Sequence, residues 1–168
     1  MTSWDNLLNE VKKRFVSSKE LNKTCEHNYI LEVENSLNLS LPRELKNIYL
    51  SSNGQMGNEE GIFEIDSSYG KPSRIRFLTL DDVVCLYNKL STDEMYSSIF
   101  NNNFLPIAVN NIESPIDVLC YDLKSGEMIL LWLLVWDLFN PVEWQIEKKK
   151  IADNLSDFLK RQLDLYCT

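Results

Sequence analysis

The chain has 168 residues, of which 44% are hydrophobic and 25% are charged, values that are ordinary for a globular protein. This length is typical of one domain with a sizeable core, so we expect a single domain over residues 1–168. The net charge is −8, from 17 basic and 25 acidic residues, which argues against non-specific binding to nucleic acid because such binding requires lysine and arginine to displace counterions. The acidity favours either a basic partner or solubility alone.

Three helices are predicted at the start of the chain. Apolar residues recur at helical spacing over Trp4–Phe15 and over Ile30–Leu37. A third helix is predicted to begin at Pro42, because its fixed φ and missing N–H suit the first helical position. The Asn53–Gly54 pair that follows tolerates positive φ and should end this helix and turn the chain. The apolar face of the third helix consists of Leu45, Ile48 and Tyr49.

Strands begin in the middle of the chain. Ile62–Ile65 and Arg74–Leu78 are strand candidates, and the segment 67–73 between them, with a glycine and a proline, is predicted as a loop. Thr79 is predicted to cap the next helix, with Asp82 in the capping-box position. The broad apolar face of that helix consists of Val83, Val84, Leu86, Tyr87 and Leu90.

A strand and a hairpin follow a polar connection. Phe104–Val109 is predicted as a strand, and Pro106 places it at a sheet edge or interrupts it, since proline donates no ladder hydrogen bond. Ile116–Leu123 and Glu127–Trp136 are predicted to form a hairpin through Lys124–Gly126.

The last part of the chain contains its most apolar run. Met128–Trp136 is far shorter than the ~20 residues that a spanning helix needs, so a strand covered on both faces is predicted and no membrane is expected. Residues 137–150 are predicted as a long connection, and a final helix opens near Asn154. Helices around hairpin-linked strands predict an α+β fold with a mainly antiparallel sheet.

No catalytic or metal motif stands out. The sequence contains no GxSxG, GxGxxG or Walker-type loop. Its cysteines form no Cys-X-X-Cys pair; Cys85 and Cys120 lie in apolar runs and are expected in the core, whereas Cys25 and His27 are potential ligands with nothing to complete a site. We therefore expect no catalytic residue, no metal and no other cofactor. The N-terminus lacks the pattern of a signal peptide, which predicts a reduced, cytoplasmic protein.

Several motifs occur in one order along nearly the whole chain: Leu41–Lys46, Asn53–Gly54, Gly57–Phe63, Phe77–Val83, Phe104–Ala108, Tyr121–Glu127 and Ile151–Leu159. That order resembles the SUKH superfamily, which includes fungal cell-wall assembly regulators and many bacterial toxin-immunity proteins. The run Leu131–Trp136 is more apolar, and the segment that follows it longer, than this resemblance implies, which suggests a covering element or a partner surface.

The resemblance implies a SUKH-like α+β domain that binds a partner and is not an enzyme. Bacterial members are commonly immunity proteins that bind and neutralise a cognate polymorphic toxin, often a nuclease. The alternative is a regulatory protein-interaction scaffold of the cell-wall kind. Those fungal regulators usually carry long disordered flanks that this sequence does not show, so immunity is the leading expectation.

A short acidic turn is the predicted partner-binding site. Asn58, Glu59 and Glu60 lie between Gly57 and Gly61, where side chains should project into solvent, and Asp66 follows the next strand and adds to the same acidic patch. A basic toxin surface is the expected partner, because charge complementarity accelerates association. The alternative is that these residues only keep a turn soluble.

Overall fold

The computed structural model describes residues 3–14, 21, 23–55, 61–67, 70–97, 100–134 and 145–167. These residues form six helices and six strands in an α+β fold, which confirms the predicted fold class. The elements in chain order are α1 (Ser3–Arg14), α2 (His27–Leu37), α3 (Arg43–Ser51), β1 (Phe63–Asp66), β2 (Pro72–Phe77), α4 (Leu80–Thr92), α5 (Glu94–Ser97), β3 (Phe104–Val109), β4 (Asp117–Asp122), β5 (Met128–Leu134), β6 (Gln145–Ala152) and α6 (Leu155–Cys167).

The sheet is antiparallel throughout and follows the chain, with the strand order β1-β2-β3-β4-β5-β6. The predicted β4–β5 hairpin is confirmed, with Tyr121 opposite Met128 near the turn. The sheet curls until side chains of its first and last strands meet, since Lys149 Nζ of β6 lies 3.3 Å from Asp66 Oδ2 of β1. The curl brings the two edges of the sheet near each other.

Phe77 of β2 is a centre of the aromatic core. Its ring lies 5.3 Å from Trp4 of α1, 5.2 Å from Tyr49 of α3 and 5.8 Å from Phe63 of β1, measured between centroids. Phe63 in turn meets Phe158 of α6 edge to face at 5.2 Å. Aromatic pairs of this kind contribute about 0.5–1.5 kcal/mol each beyond the burial of their area. One face of β1 and β2 is therefore covered by α1, α3 and α6.

Helix α4 borders the opposite face. Arg76 precedes Phe77 in β2 and so points the other way, where it pairs with Asp82 of α4 at 3.0 Å. The prediction that Cys85 lies in the core is wrong: the residue is exposed, because the helical period turns it away from the face that packs inward. That buried face consists of Leu80, Val83, Leu86 and Leu90.

Strand β6 is not predicted from the sequence, which indicates a long connection over residues 137–150. Its middle is a run of lysines, which are poor strand formers, so local preference does not indicate a strand. Pairing with β5 supplies the missing stabilisation, and a position at the sheet edge lets the lysine side chains reach water. The remainder of the predicted connection, residues 137–144, lies outside the described residues.

Three prolines lie at the start of an element or at an irregularity within one, and these are Pro42, Pro72 and Pro106. Pro42 is the N-cap of α3, one position before the predicted one. Pro72 begins β2 inside the predicted loop, at a strand start that needs no ladder donor. Strand β3 lies between β2 and β4, so Pro106 is not at an edge; the register shifts between Pro106 and Ala108, which is the predicted interruption.

Candidate partner-binding surface

The predicted partner-binding residues Asn58, Glu59 and Glu60 lie outside the described residues, so they stay a prediction. Both ends of their segment are described. Gln55 precedes it and is fully buried, with a side-chain carbonyl that accepts the backbone N–H of Ile62 and of Phe77, each at 3.0 Å. The buried Gln55 amide therefore joins the two ends of the 56–60 segment to β2. No sequence pattern marks a lone glutamine for this role.

Two glycines let the base of this segment lie against neighbouring backbone. A Cβ at Gly61 would lie 2.1 Å from the carbonyl carbon of Ile75, a separation that no side chain tolerates. Gly54 has φ +72°, and a Cβ there would lie 2.4 Å from the Leu78 backbone. The sequence indicates a turn at these positions. The structure adds a second reason for glycine, because the backbone at Gly61 lies against β2 and the backbone at Gly54 lies against Leu78, which follows β2.

Asp66 ends β1 and is exposed, with 73% of its side chain accessible. Its carboxylate pairs with Lys149 of β6 at 3.3 Å, so its nearest described charge is positive. An exposed pair of this kind contributes roughly 0–1 kcal/mol to stability, and a partner can exchange it at little cost. The neighbouring Glu64 also has a cation, Arg74, at 3.7 Å.

A second acidic area, on α2 and α4, is not evident from the sequence. The Tyr29 hydroxyl donates a hydrogen bond to the Asp81 carboxylate, and burial together with that carboxylate raises the pKa of Tyr29 and keeps it protonated. Glu26 is the N-cap of α2 and Glu32 lies in its middle, and both are exposed. Leu31, next to Glu32, is 54% exposed. No described cation pairs with any of these three carboxylates. The packing of α2 on α4 brings Asp81 to the α2 side chains.

Many cations of the protein are held by its own carboxylates. Lys150 contacts both Glu127 and Asp153 at 2.7 Å, and the two hydrogen bonds raise the pKa of the lysine. The surface field is consequently set by the surplus carboxylates, in keeping with the net charge of −8. Further pairs within the described residues are Lys13–Glu10, Lys46–Glu34, Arg74–Glu64, Arg76–Asp82, Lys149–Asp66 and Lys160–Asp157.

The side chains with nucleophilic or ligating atoms do not form a site in the part of the chain that the structure describes. No three histidine, cysteine, aspartate or glutamate residues there are grouped so as to hold a metal ion. Burial, with a contribution from Asp81, raises the pKa of Cys25 to about 11, so its thiol is protonated and a poor nucleophile at neutral pH. His27 is exposed at the first position of α2.

The helical side carries a groove of about 400 Å³ between α1, α3 and α6. Trp4, Ile48 and Leu159 give it apolar walls, and Asp5 and Glu44 add carboxylates. The Glu44 carboxylate accepts the Tyr121 hydroxyl at 2.7 Å, which joins α3 to β4. This groove offers apolar contact without a cluster of reactive groups. None of the described helices has the length and hydropathy to cross a membrane.

The sequence of the chain was compared with the models of known protein families. The SMI1/KNR4 family (SUKH-1) model covers residues 24–161, from just before α2 to the middle of α6, and includes the whole described sheet. No curated protein gives a significant match to the chain.

Proposed function

Because the chain belongs to the SMI1/KNR4 family (SUKH-1), matched over residues 24–161, we propose that it is a cytoplasmic immunity protein. It binds a cognate polymorphic toxin and neutralises it by direct contact, without catalysis. A nuclease is the toxin class that suits this chain best, because surfaces that bind nucleic acid are basic and this protein is acidic.

The surplus of surface carboxylates is the observation that carries this proposal. Cations such as Lys46, Arg76 and Lys150 are occupied by carboxylates of the same chain. Carboxylates such as Glu26 and Glu32 have no cation among the described residues and remain able to meet a basic partner. The same surplus repels nucleic acid, so the protein can cover a nuclease without competing for its substrate.

Inhibition would follow from occupancy. An acidic protein seated on the substrate-binding face of a nuclease excludes the substrate by volume and by charge. Complementary charge raises association rates from about 10⁵–10⁶ M⁻¹s⁻¹ toward 10⁸ M⁻¹s⁻¹ or more at low salt. Fast capture suits an inhibitor that must reach a toxin before the toxin reaches its substrate.

We place the contact at Asn58, Glu59, Glu60 and Asp66. The supporting observation is the fixed base of the 56–60 segment, which Gln55 and Gly61 hold against β2. Only five residues separate these anchors, which limits the length of chain whose conformational entropy binding can reduce.

The first step of the test is to look in the neighbouring reading frame for a large secreted protein with a nuclease-like C-terminus, and the second is an inhibition assay with that protein as the toxin. Purified chain should abolish its nuclease activity at a molar ratio near one, and raised salt should weaken the inhibition. The toxin should be recovered intact and active after separation at high salt, and addition of a chelator to the purified chain before mixing should leave its inhibitory capacity unchanged. Cleaved or modified toxin would point to an enzyme, and binding without inhibition would favour the regulatory scaffold.

A further inference from the structure

A second groove lies between the two edge strands of the curled sheet and has a volume of about 400 Å³. Its lining includes three consecutive residues of β1, Glu64–Asp66, and three of β6, Lys149–Ile151. Consecutive side chains of a strand point to opposite faces, so a cavity lined by three in a row runs along the edge of the strand. The groove therefore separates the edges of β1 and β6, and Phe158 and Gln162 of α6 also line it.

The β1 edge of this groove is already hydrogen-bonded. The Gln162 amide donates to the Glu64 carbonyl oxygen at 2.9 Å and accepts the Glu64 N–H at 2.8 Å, as a neighbouring strand would. The Tyr166 hydroxyl donates to the Ile62 carbonyl oxygen at 2.8 Å. Helix α6 thus satisfies the backbone of β1, and this edge is closed to a further strand.

The β6 edge differs. β6 is last in the strand order, and no described strand lies on its outer side. Arg161 donates to the Ile151 carbonyl oxygen at 2.5 Å, but no described side chain bonds the backbone of Gln145–Lys150. This stretch carries the exposed run Lys148–Lys150. Lys149 pairs with Asp66, and Lys150 pairs with Glu127 and Asp153, and the carboxylates of a partner can exchange such exposed pairs at little cost.

We propose that the β6 edge binds an extended, acidic segment of a partner protein, which pairs with β6 as a seventh strand beside the groove. This surface meets the toxin contact proposed above only at Asp66. The Asp66–Lys149 pair shows that a carboxylate on the far side of the groove reaches the lysine run. Leu165 of α6 also lines the groove and is 43% exposed, which suits an apolar side chain of the bound strand.

The lysine run also argues against a second copy of this chain as the occupant. Antiparallel pairing of two β6 strands would bring two runs of Lys148–Lys150 close together, and like charges across a strand pair are destabilising. A partner strand with carboxylates gains from the same geometry.

The probe is a blocked heptapeptide of alternating Glu and Val, titrated into the full chain. We expect saturable binding with amide chemical-shift changes along β6, and no binding of the Lys/Val counterpart. Replacing the run (Lys148→Gln, Lys149→Gln, Lys150→Gln) should weaken binding by about tenfold. The matched control Lys124→Gln, in the β4–β5 turn, should leave the affinity unchanged. Absence of binding would show that the lysines only protect the edge from association.

Two further variants separate strand pairing from charge attraction. N-methylation of alternate peptide amides should weaken binding by about tenfold, because it removes the ladder hydrogen bonds. Asp66→Asn should strengthen binding roughly two- to fivefold by freeing Lys149, whereas Glu32→Gln on α2 should not. The proposal would be overturned if the N-methylated and unmethylated peptides bound with equal affinity. It would also be overturned if Asp66→Asn and Glu32→Gln changed the affinity by the same factor. The toxin contact is tested separately at Glu59 and Glu60, which lie outside this groove lining, so these results do not decide it.

Discussion

Leu45 is fully buried on the face of α3 that also carries Ile48 and Tyr49. Leu45→Ala should reduce the free energy of unfolding by ~2–5 kcal/mol, because it removes buried methyl groups and leaves a cavity. Urea denaturation measures this, with Leu31→Ala as the control at a position that is 54% exposed. Equal stability of the two variants would contradict the assignment of this face to the core.

Glu34 is a buried carboxylate, with 9% of the residue exposed, that joins α2 to the start of α3. Burial opposes its ionisation, but it accepts hydrogen bonds from Lys46 Nζ at 2.8 Å, the Leu41 N–H at 2.6 Å and the Ser40 hydroxyl at 3.0 Å. These donors outweigh burial and hold the pKa of Glu34 below its ordinary value. The charged form therefore stabilises the fold.

The sign of the resulting pH dependence follows from that lowered pKa. A glutamate in the unfolded chain has a pKa of about 4.3. The stabilisation by Glu34 is therefore fully present above that pH, and it is lost as the pH falls through the lower pKa of Glu34 in the folded protein. Glu34→Gln should be less stable than wild type at pH 7, and the difference should shrink below about pH 4. Thermal denaturation from pH 7 to 3 measures this, with Glu32→Gln on the same helix as the control. A stability difference between Glu34→Gln and wild type that grows as the pH falls would contradict this prediction.

At the scale of the element, α4 shows how local signals define a helix. The Thr79 hydroxyl accepts the Asp82 N–H at 3.1 Å, and the Asn53 side chain accepts the Leu80 N–H at 2.9 Å, so two of the unpaired N–H groups of the first turn are satisfied. Acidic residues in the first turn and Lys89 in the last complement the helix dipole.

Removal of the cap should be measurable. Thr79→Ala should reduce stability by about 1 kcal/mol, because the Asp82 N–H loses its partner. Thr92→Ala at the other end of α4 is the matched control, since its exposed hydroxyl bonds the Asn88 carbonyl and caps no free N–H. Chemical denaturation compares the two, and a larger loss from Thr92→Ala would refute the capping role.

At the scale of the whole molecule, α1 lies outside the range matched by the family but packs within the same core. Trp4 contacts Phe77 of β2 and donates its indole N–H to the Ser51 hydroxyl at 2.6 Å. On these contacts we propose that residues 1–168 form one domain.

Net charge underlies the prediction for the toxin contact. Glu59→Lys with Glu60→Lys should slow association with the toxin and reduce its salt dependence, because steering depends on the field of exposed charges. Folding should be nearly unaffected, because the sequence predicts that both side chains project into solvent and such charges contribute little to stability. Stopped-flow association at two salt concentrations measures both effects.

The control for that double reversal is an equal change of charge elsewhere. Glu26→Lys with Glu32→Lys alters the acidic area on α2 by the same amount. If this control slows association more than the reversal at Glu59 and Glu60, the toxin contacts the α2–α4 area instead.

The sequence by itself determined the features that depend on neighbouring residues. The buried face of α3, the Thr79 cap and the β4–β5 hairpin were all predicted, because periodicity, capping and turn preferences act within a few residues. The acidic segment at Asn58, Glu59 and Glu60 was also singled out from sequence and remains a prediction.

Only the tertiary structure decided which distant residues meet. Gln162 bonds Glu64 across 98 positions, and Lys149 reaches Asp66 across 83, although nothing local marks either residue. Strand β6 itself forms against the preference of its lysines because β5 supplies the partner. The groove between β1 and β6 therefore has no signature in the sequence: it arises from the curl of the whole sheet, which depends on all six strands at once.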